Sequence, residues 1–144
     1  TPRTLFPYTT LFRSMNFMDA KILEQNGKIV ITFNNETIVI PEDKAKIIRE
    51  KAYIGKTVVM GIRPEDIDDG ITFLEEHKDS IVEAKVEVVE LMGAETNIYM
   101  SKGDTNIVVR VNGSSTAKVG DKIKIALDAN KIHIFDKETE NTLI

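Results

Sequence analysis

The stretch that most constrains this chain is Thr57–Ile67, T-V-V-M-G-I-R-P-E-D-I. The apolar run Val58-Val59-Met60-Gly61-Ile62 predicts a strand covered on both faces, because an uninterrupted apolar run leaves no face for water. It ends at Arg63-Pro64. Proline has no N–H for a sheet ladder and drives the preceding residue into an extended conformation. Arg63 is therefore expected straight at the strand end. Pro64 is preset for the first position of a helical turn, and Glu65 and Asp66 suit that turn's positive end. Gly61 inside a strand predicts a bulge or a close backbone neighbour. The whole is read as a rigid strand-to-turn corner presenting Arg63, Glu65 and Asp66 at the surface. On residue types alone, those charges are accounted for by solvation.

The rest of the chain fits one domain or slightly more: 144 residues with 42% hydrophobic residues suffice for a core. There is no cysteine, which excludes disulfides and thiolate metal sites. No apolar run approaches the ~20 residues of a membrane span. The formal net charge is −4 with no basic stripe, against the pattern of a nucleic-acid binder. Residues Thr4–Ser14 have neither a helical nor a strand period. They lack the basic start and small-residue cleavage site of a signal peptide. The string resembles the conceptual translation of a sequencing adapter and is expected to lie outside the fold as an unstructured leader, residues 1–14, before a domain at 15–144. Without Arg3 and Arg13 the net charge moves from −4 to −6.

From Met15 the pattern is mostly β. An extended segment around Ala20–Leu23 meets Asn26-Gly27, a strong hairpin signal because both positions tolerate positive φ. Lys28–Phe33 returns, Asn34-Asn35 turns, and Thr37–Ile40 is a third strand. Pro41-Glu42-Asp43 opens a helix to about Ala52, acids first and cations later as the helix dipole prefers. Its expected apolar stripe is Ala45, Ile48 and Ala52, helped by Ile47. Asp68-Asp69-Gly70 is a turn, and Glu75–Asp79 a solvated loop or short turn. The second half reads as a meander: Ile81–Leu91, long enough to bend between two sheets; Glu95–Ser101; Thr105–Val111; Lys122–Leu127; and Lys131–Phe135, separated by glycine-centred turns. Many short strands at even spacing predict a small barrel or sandwich.

Catalytic signatures are absent from the sequence. There is no G-x-x-x-x-G-K phosphate loop and no H-E-x-x-H. An EF-hand loop counted from Asp66 needs glycine at its sixth position and glutamate at its twelfth, where Ile71 and His77 stand. His133 falls opposite Ile132 and Ile134 in strand alternation and is expected at the surface or a barrel mouth. Expected catalytic, cofactor-binding and metal-ligating residues are therefore none.

Four stretches together resemble one family. Met15-Asn16-Phe17, the Gly61-Ile62-Arg63-Pro64-Glu65 motif, the turn Val88-Val89-Glu90-Leu91-Met92-Gly93-Ala94-Glu95-Thr96, and Val119-Gly120-Asp121 with Ile132–Asp136 occur in the order seen in the C-terminal regulatory TOBE domain of maltose-type sugar ABC-importer ATPases. The resemblance covers essentially Met15–Ile144. It implies a mainly β fold, an OB-fold-like β-barrel with one short helix. It also implies that ATP and Mg belong to an ATPase part upstream, so no cofactor is expected on this chain and no catalysis. The implied partners are a second ATP-binding subunit in a homodimer, the chain's own ATPase domain, permease subunits indirectly and a regulatory protein, with no nucleic acid. The implied location is cytoplasmic, peripheral to the membrane through the transporter. By motif position, Gly61, Arg63, Pro64, Glu65 and Asp66 and the turn residues Gly93, Glu95 and Thr96 are expected at a domain or subunit contact. Related domains in molybdate systems imply an alternative, a small-oxyanion sensor with Asn112–Thr116 as its cradle. Single-strand nucleic-acid binding needs a positive groove with stacking aromatics, which the sequence does not offer.

Overall fold

The computed structural model describes residues 15–113 and 115–144; the expectation for residues 1–14 lies outside them. Among the described residues the chain forms ten strands and two α-helices. The strands are β1 (Asn16–Gln25), β2 (Lys28–Phe33), β3 (Glu36–Val39), β4 (Thr57–Ile62), β5 (Ile67–Asp68), β6 (Ile81–Leu91), β7 (Glu95–Lys102), β8 (Thr105–Asn112), β9 (Lys122–Leu127) and β10 (His133–Asp136). They form two antiparallel five-stranded sheets, ordered β10-β4-β1-β2-β3 and β5-β9-β6-β7-β8. The two sheets close over one apolar core into a barrel-like body, the mainly β architecture expected. Ile22, Ile31, Met60, Ile98, Ile107 and Ile125 from both sheets fill that core.

Asn26-Gly27 forms the β1–β2 turn, both residues at positive φ. Strand β1 begins earlier than Ala20: Asn16, Met18, Ala20 and Ile22 alternate inward from its first residue. Helix α1 (Glu42–Glu50) buries Ala45 and Ile48, whereas Ile47 and Ala52 are exposed. It stops before Ala52, which takes φ +59. The Ala52 and Tyr53 amides then donate to the Arg49 and Ile48 carbonyls, a Schellman termination with alanine where glycine is usual. The expectation of a single helix needs correction: α2 (Ile71–Glu76) forms where the sequence pattern places Glu75 and Glu76 in a loop. It buries none of its residues, so no apolar period marks it. Strand β6 does not cross between sheets. A register shift between Val86 and Val88 lets it pair with β9 along its first half and with β7 along its second, which relieves the curvature within one sheet.

Candidate functional site

Strand β4 lies between β1 and β10, and its residues from Val58 to Ile62 are all buried. Val58, Met60 and Ile62 face the main core. On the opposite face Val59 joins Phe17 and Phe135 in a small cluster, with the two rings edge to face at 5.9 Å between centroids. The run is thus covered on both sides. The register with β1 and β10 continues unbroken through Gly61, so the glycine marks a close neighbour and not a bulge. A Cβ there would sit 3.1 Å from each of Met15 Sδ, Phe17 Cε1 and Phe135 Cε2.

The corner follows as expected. Arg63 is extended at φ −76, ψ 148, and Pro64–Asp66 form one 3-10 turn closed by the Asp66 amide on the Arg63 carbonyl at 3.0 Å. Pro64 is buried, Arg63 and Asp66 are half-buried, and Glu65 is exposed. Burial raises the Asp66 carboxyl above its usual range, and the nearby Glu65 and Asp128 add to this against Lys131 and Arg63. His133, paired with Gly61 in the ladder, is half-buried. Its burial lowers its imidazole below the ordinary histidine value, reinforced by Lys44 and Arg63.

The corner is joined to the β6–β7 hairpin, though not to its Gly93–Thr96 turn, through Arg110. Arg110 on β8 reaches back to Glu65, Nη1 to Oε1 at 3.7 Å, and its Nε donates to Asn97 Oδ1 at 3.0 Å. Asn97 Nδ2 donates to Glu90 Oε1 at 3.2 Å, and the Tyr99 hydroxyl donates to the same oxygen at 3.0 Å. Ladder pairing explains the row: Glu90 lies opposite Asn97 and Asn97 opposite Arg110, with Val88 opposite Tyr99 one pleat away. All therefore share one outer face, since side chains two apart on a strand lie on the same side. In this row Val88 and Tyr99 are exposed; at the β6–β7 tip Leu91, on the opposite face of its strand from Glu90, has 75% of its surface in solvent, and Met92 is exposed too.

Of the turn residues, Gly93 takes φ +80 and Glu95 is exposed. Thr96 is buried and structural: its hydroxyl donates to the Gly113 carbonyl at 2.7 Å. Asn16 carries a role that its sequence context does not signal. Its side-chain amide donates to the Val108 carbonyl at 2.9 Å and accepts from the Val108 amide at 2.8 Å. It serves the β8 edge as a missing strand would.

The acids after the corner hold turns. Asp68 Oδ1 accepts from the Gly70 amide at 2.8 Å, and Asp69 Oδ2 accepts from the Ser115 hydroxyl at 2.5 Å. That carboxylate stands in the expected anion cradle Asn112–Thr116, of which residue 114 lies outside the described residues, and it opposes a second negative charge there. Among the described residues there is no cluster of three metal-ligating side chains, and no helix is long and apolar enough to cross a membrane.

Comparison with known proteins agrees with this geometry. Residues 14–67 match the MalK OB fold domain and residues 60–135 the TOBE domain. The chain is 39% identical over 127 residues to the oligosaccharides import ATP-binding protein MsmX of Bacillus subtilis, covering 88% of this chain and 34% of that protein. It is 35% identical to the multiple sugar-binding transport ATP-binding protein MsmK of Streptococcus mutans, covering 88% of this chain and 33% of that protein. It is 32% identical to the trehalose/maltose import ATP-binding protein MalK of Thermococcus litoralis, covering 87% and 33%. The chain thus spans about a third of the length of these relatives. Among solved structures, the cytoplasmic molybdate-binding protein ModG with molybdate bound superposes at a TM-score of 0.57 with 12% identity, over 83% of this chain and 94% of that one. At that identity the likeness speaks for the fold alone.

Proposed function

The chain belongs to the TOBE domain family, as carried in the C-terminal region of sugar-importer ATP-binding subunits, and from that premise we propose that it is the regulatory and dimerisation domain of such a subunit. The observation that supports this most is the meeting of the corner and the β6–β7 hairpin through Arg110, beside the exposed Val88, Leu91, Met92 and Tyr99. Exposed apolar side chains bordered by a braced polar row have the make-up of a protein contact, in which apolar anchors carry energy and polar groups fix register. An isologous contact through one such face on each copy makes a two-fold dimer, and a closed barrel is a stiff spacer for it.

In this reading the domain holds two ATP-binding subunits together while their ATPase parts open and close, and it offers a surface to a regulatory protein. ATP and Mg are handled by the ATPase part of the subunit. This chain has no phosphate loop, so no step of hydrolysis passes through its residues. The subunit works in the cytoplasm, peripheral to the membrane through its permease partners, and the cargo is a carbohydrate. The test is charge reversal at the corner, Arg63→Glu with Glu65→Lys, in a full-length subunit carrying this domain. The expected outcome is weaker subunit association by analytical ultracentrifugation and ATPase activity less responsive to the transport complex. Unchanged association together with unchanged coupling refutes the assignment.

A further inference from the structure

A second feature involves none of the residues of the Glu65–Arg110 row. On the outer face where β9, β6 and β7 run side by side, Lys122 lies directly opposite Lys85, and Lys85 opposite Ser101. Like charges directly opposite on one face destabilise a sheet. The neighbouring pair on the same two strands is the complementary one, Glu83 opposite Lys124. Among the described residues neither Lys85 nor Lys122 forms an ion pair, although Glu83 and Glu87 flank Lys85 two positions away along β6. The sheet therefore carries a repulsion at one place that nothing in its own pairing relieves.

That place borders a cleft of about 430 Å³ lined by Lys85, Lys102, Lys122 and Glu83, with Glu36 and Glu87 bonded to its lining residues Lys102 and Ser101. The cleft is built from both sheets. Lys102 Nζ is held 3.0 Å from Glu36 Oε2, and the same oxygen accepts the Glu83 amide at 3.2 Å. Its wall is formed by the β2–β3 turn, where Asn34 and Asn35 take φ +46 and +67, a region that non-glycine residues occupy only when their surroundings hold them there. Asn34 Nδ2 provides that hold: it donates to the Lys102 carbonyl at 2.8 Å and to the Thr105 hydroxyl. Ammonium groups recognise phosphate as point charges with several donors each. The volume lies within the range of about 300–1,000 Å³ typical of small-molecule sites, well beyond a lone tetrahedral anion. Asn35 on the rim brings a side chain that pairs with hydroxyl groups, while the Ser101 hydroxyl donates to Glu87 Oε2 at 2.5 Å.

We propose that this cleft binds a small phosphomonoester bearing hydroxyl groups, its dianion seated between Lys85 and Lys122. The Lys85–Lys122 repulsion is then the cost of an empty site and is neutralised on binding.

The test titrates the full chain with glucose 6-phosphate, inorganic phosphate and glucose at constant ionic strength, followed by amide NMR and thermal melting. Expected are saturable shifts with glucose 6-phosphate centred on residues 34, 35, 85, 101–103 and 122. Inorganic phosphate is weaker, and glucose gives no saturable shift. Lys85→Gln and Lys122→Gln each weaken binding about tenfold, as loss of one charge-assisted contact should. Each also raises the melting temperature of the unliganded chain by about 1–3 °C, because the cross-strand repulsion is gone. A folded variant that is more stable yet binds less separates a binding role from a structural one. Absence of saturable shifts up to about 10 mM glucose 6-phosphate, or unchanged affinity in both variants, overturns the proposal. Equal affinity for inorganic phosphate and the sugar ester overturns the hydroxyl part and leaves an anion site.

Discussion

Replacing Gly61 with alanine tests whether the strand behind the corner is as tightly covered as its geometry states. The new Cβ would meet Met15 Sδ, Phe17 Cε1 and Phe135 Cε2, each at 3.1 Å. Comfortable carbon contacts lie at about 3.5–4.0 Å, so each neighbour must retreat by several tenths of an ångström. Met15 can do so, since a thioether chain has spare rotamers. The rings have less room: Phe135 is 1% exposed and locked edge to face with Phe17. Overpacking of this kind costs about 1–3 kcal/mol. Alanine offsets roughly 0.5–1 kcal/mol of that by restricting the unfolded chain. The net expectation is a loss of roughly 0–2.5 kcal/mol, centred near 1 kcal/mol, or a melting temperature lower by about 3–4 °C at the centre for a domain of this size. Urea denaturation with an unchanged slope measures it. Phe17→Leu removes the Cε1 atom, so in the double variant part of the Gly61→Ala penalty should vanish, a coupling of about 0.5–1 kcal/mol. A Gly61→Ala protein more stable than the parent, or a double-mutant cycle that is simply additive, would refute the close-approach account.

Ala52→Gly should stabilise the chain by about 0.5–1 kcal/mol, because position C′ of α1 already holds a positive φ that glycine adopts without strain; chemical denaturation checks it. Asn16→Ala should cost about 2–3 kcal/mol by stranding the Val108 amide and carbonyl at a buried edge, seen as a lower denaturation midpoint together with faster exchange of the Val108 amide. His133 sets a pH dependence. Its folded pKa is lowered by burial, so below the unfolded value of about 6.5 the unfolded chain takes up a proton that the folded chain resists, and stability falls as pH drops. The fall between pH 7.5 and 5.5 should be shallower in His133→Gln, and the His133 ring should titrate below the free-histidine value by NMR.

Local rules make the left half of the chain readable. Asn26-Gly27 has one ready use, and Arg63-Pro64 can only end a strand and begin a turn. Their outcomes depend on backbone sterics confined to a few residues. Strand β1 is longer than its pattern suggests because Asn16 occupies an inward position of an otherwise apolar alternation, and a buried amide breaks the pattern that signals burial. Helix α2 escapes notice because none of its residues is buried, so its sequence has no stripe to display. The Glu65–Arg110–Asn97–Glu90 row is invisible in the sequence for a different reason. Each member looks like a solvated polar residue on its own strand, and only the β6–β7–β8 register brings them together.

The same dependence on register explains how two open sheets make a closed body. Where backbone ladders stop, side chains from the first sheet take over. Asn16 meets both backbone groups of Val108 on β8, Glu36 accepts from the Glu83 amide where β6 has left β7, and Asn34 caps the Lys102 carbonyl at the end of β7. An exposed strand edge is a template for unwanted pairing, and β8 is the edge of the second sheet. With Asn16 occupying Val108 and the Pro64–Asp66 turn packed beside β8, that edge is not free to add a strand from a second copy. The proposed association of two copies would then not run along β8, which leaves side chains on an outer face as a route. The face best equipped for this carries Val88 and Tyr99 in the Arg110 row, with Leu91 and Met92 exposed at the hairpin tip. The Asn that seals the edge and the Arg that braces the face therefore have complementary roles. Asn16 occupies the β8 edge at Val108, and Arg110 braces the face that the proposed assembly would use.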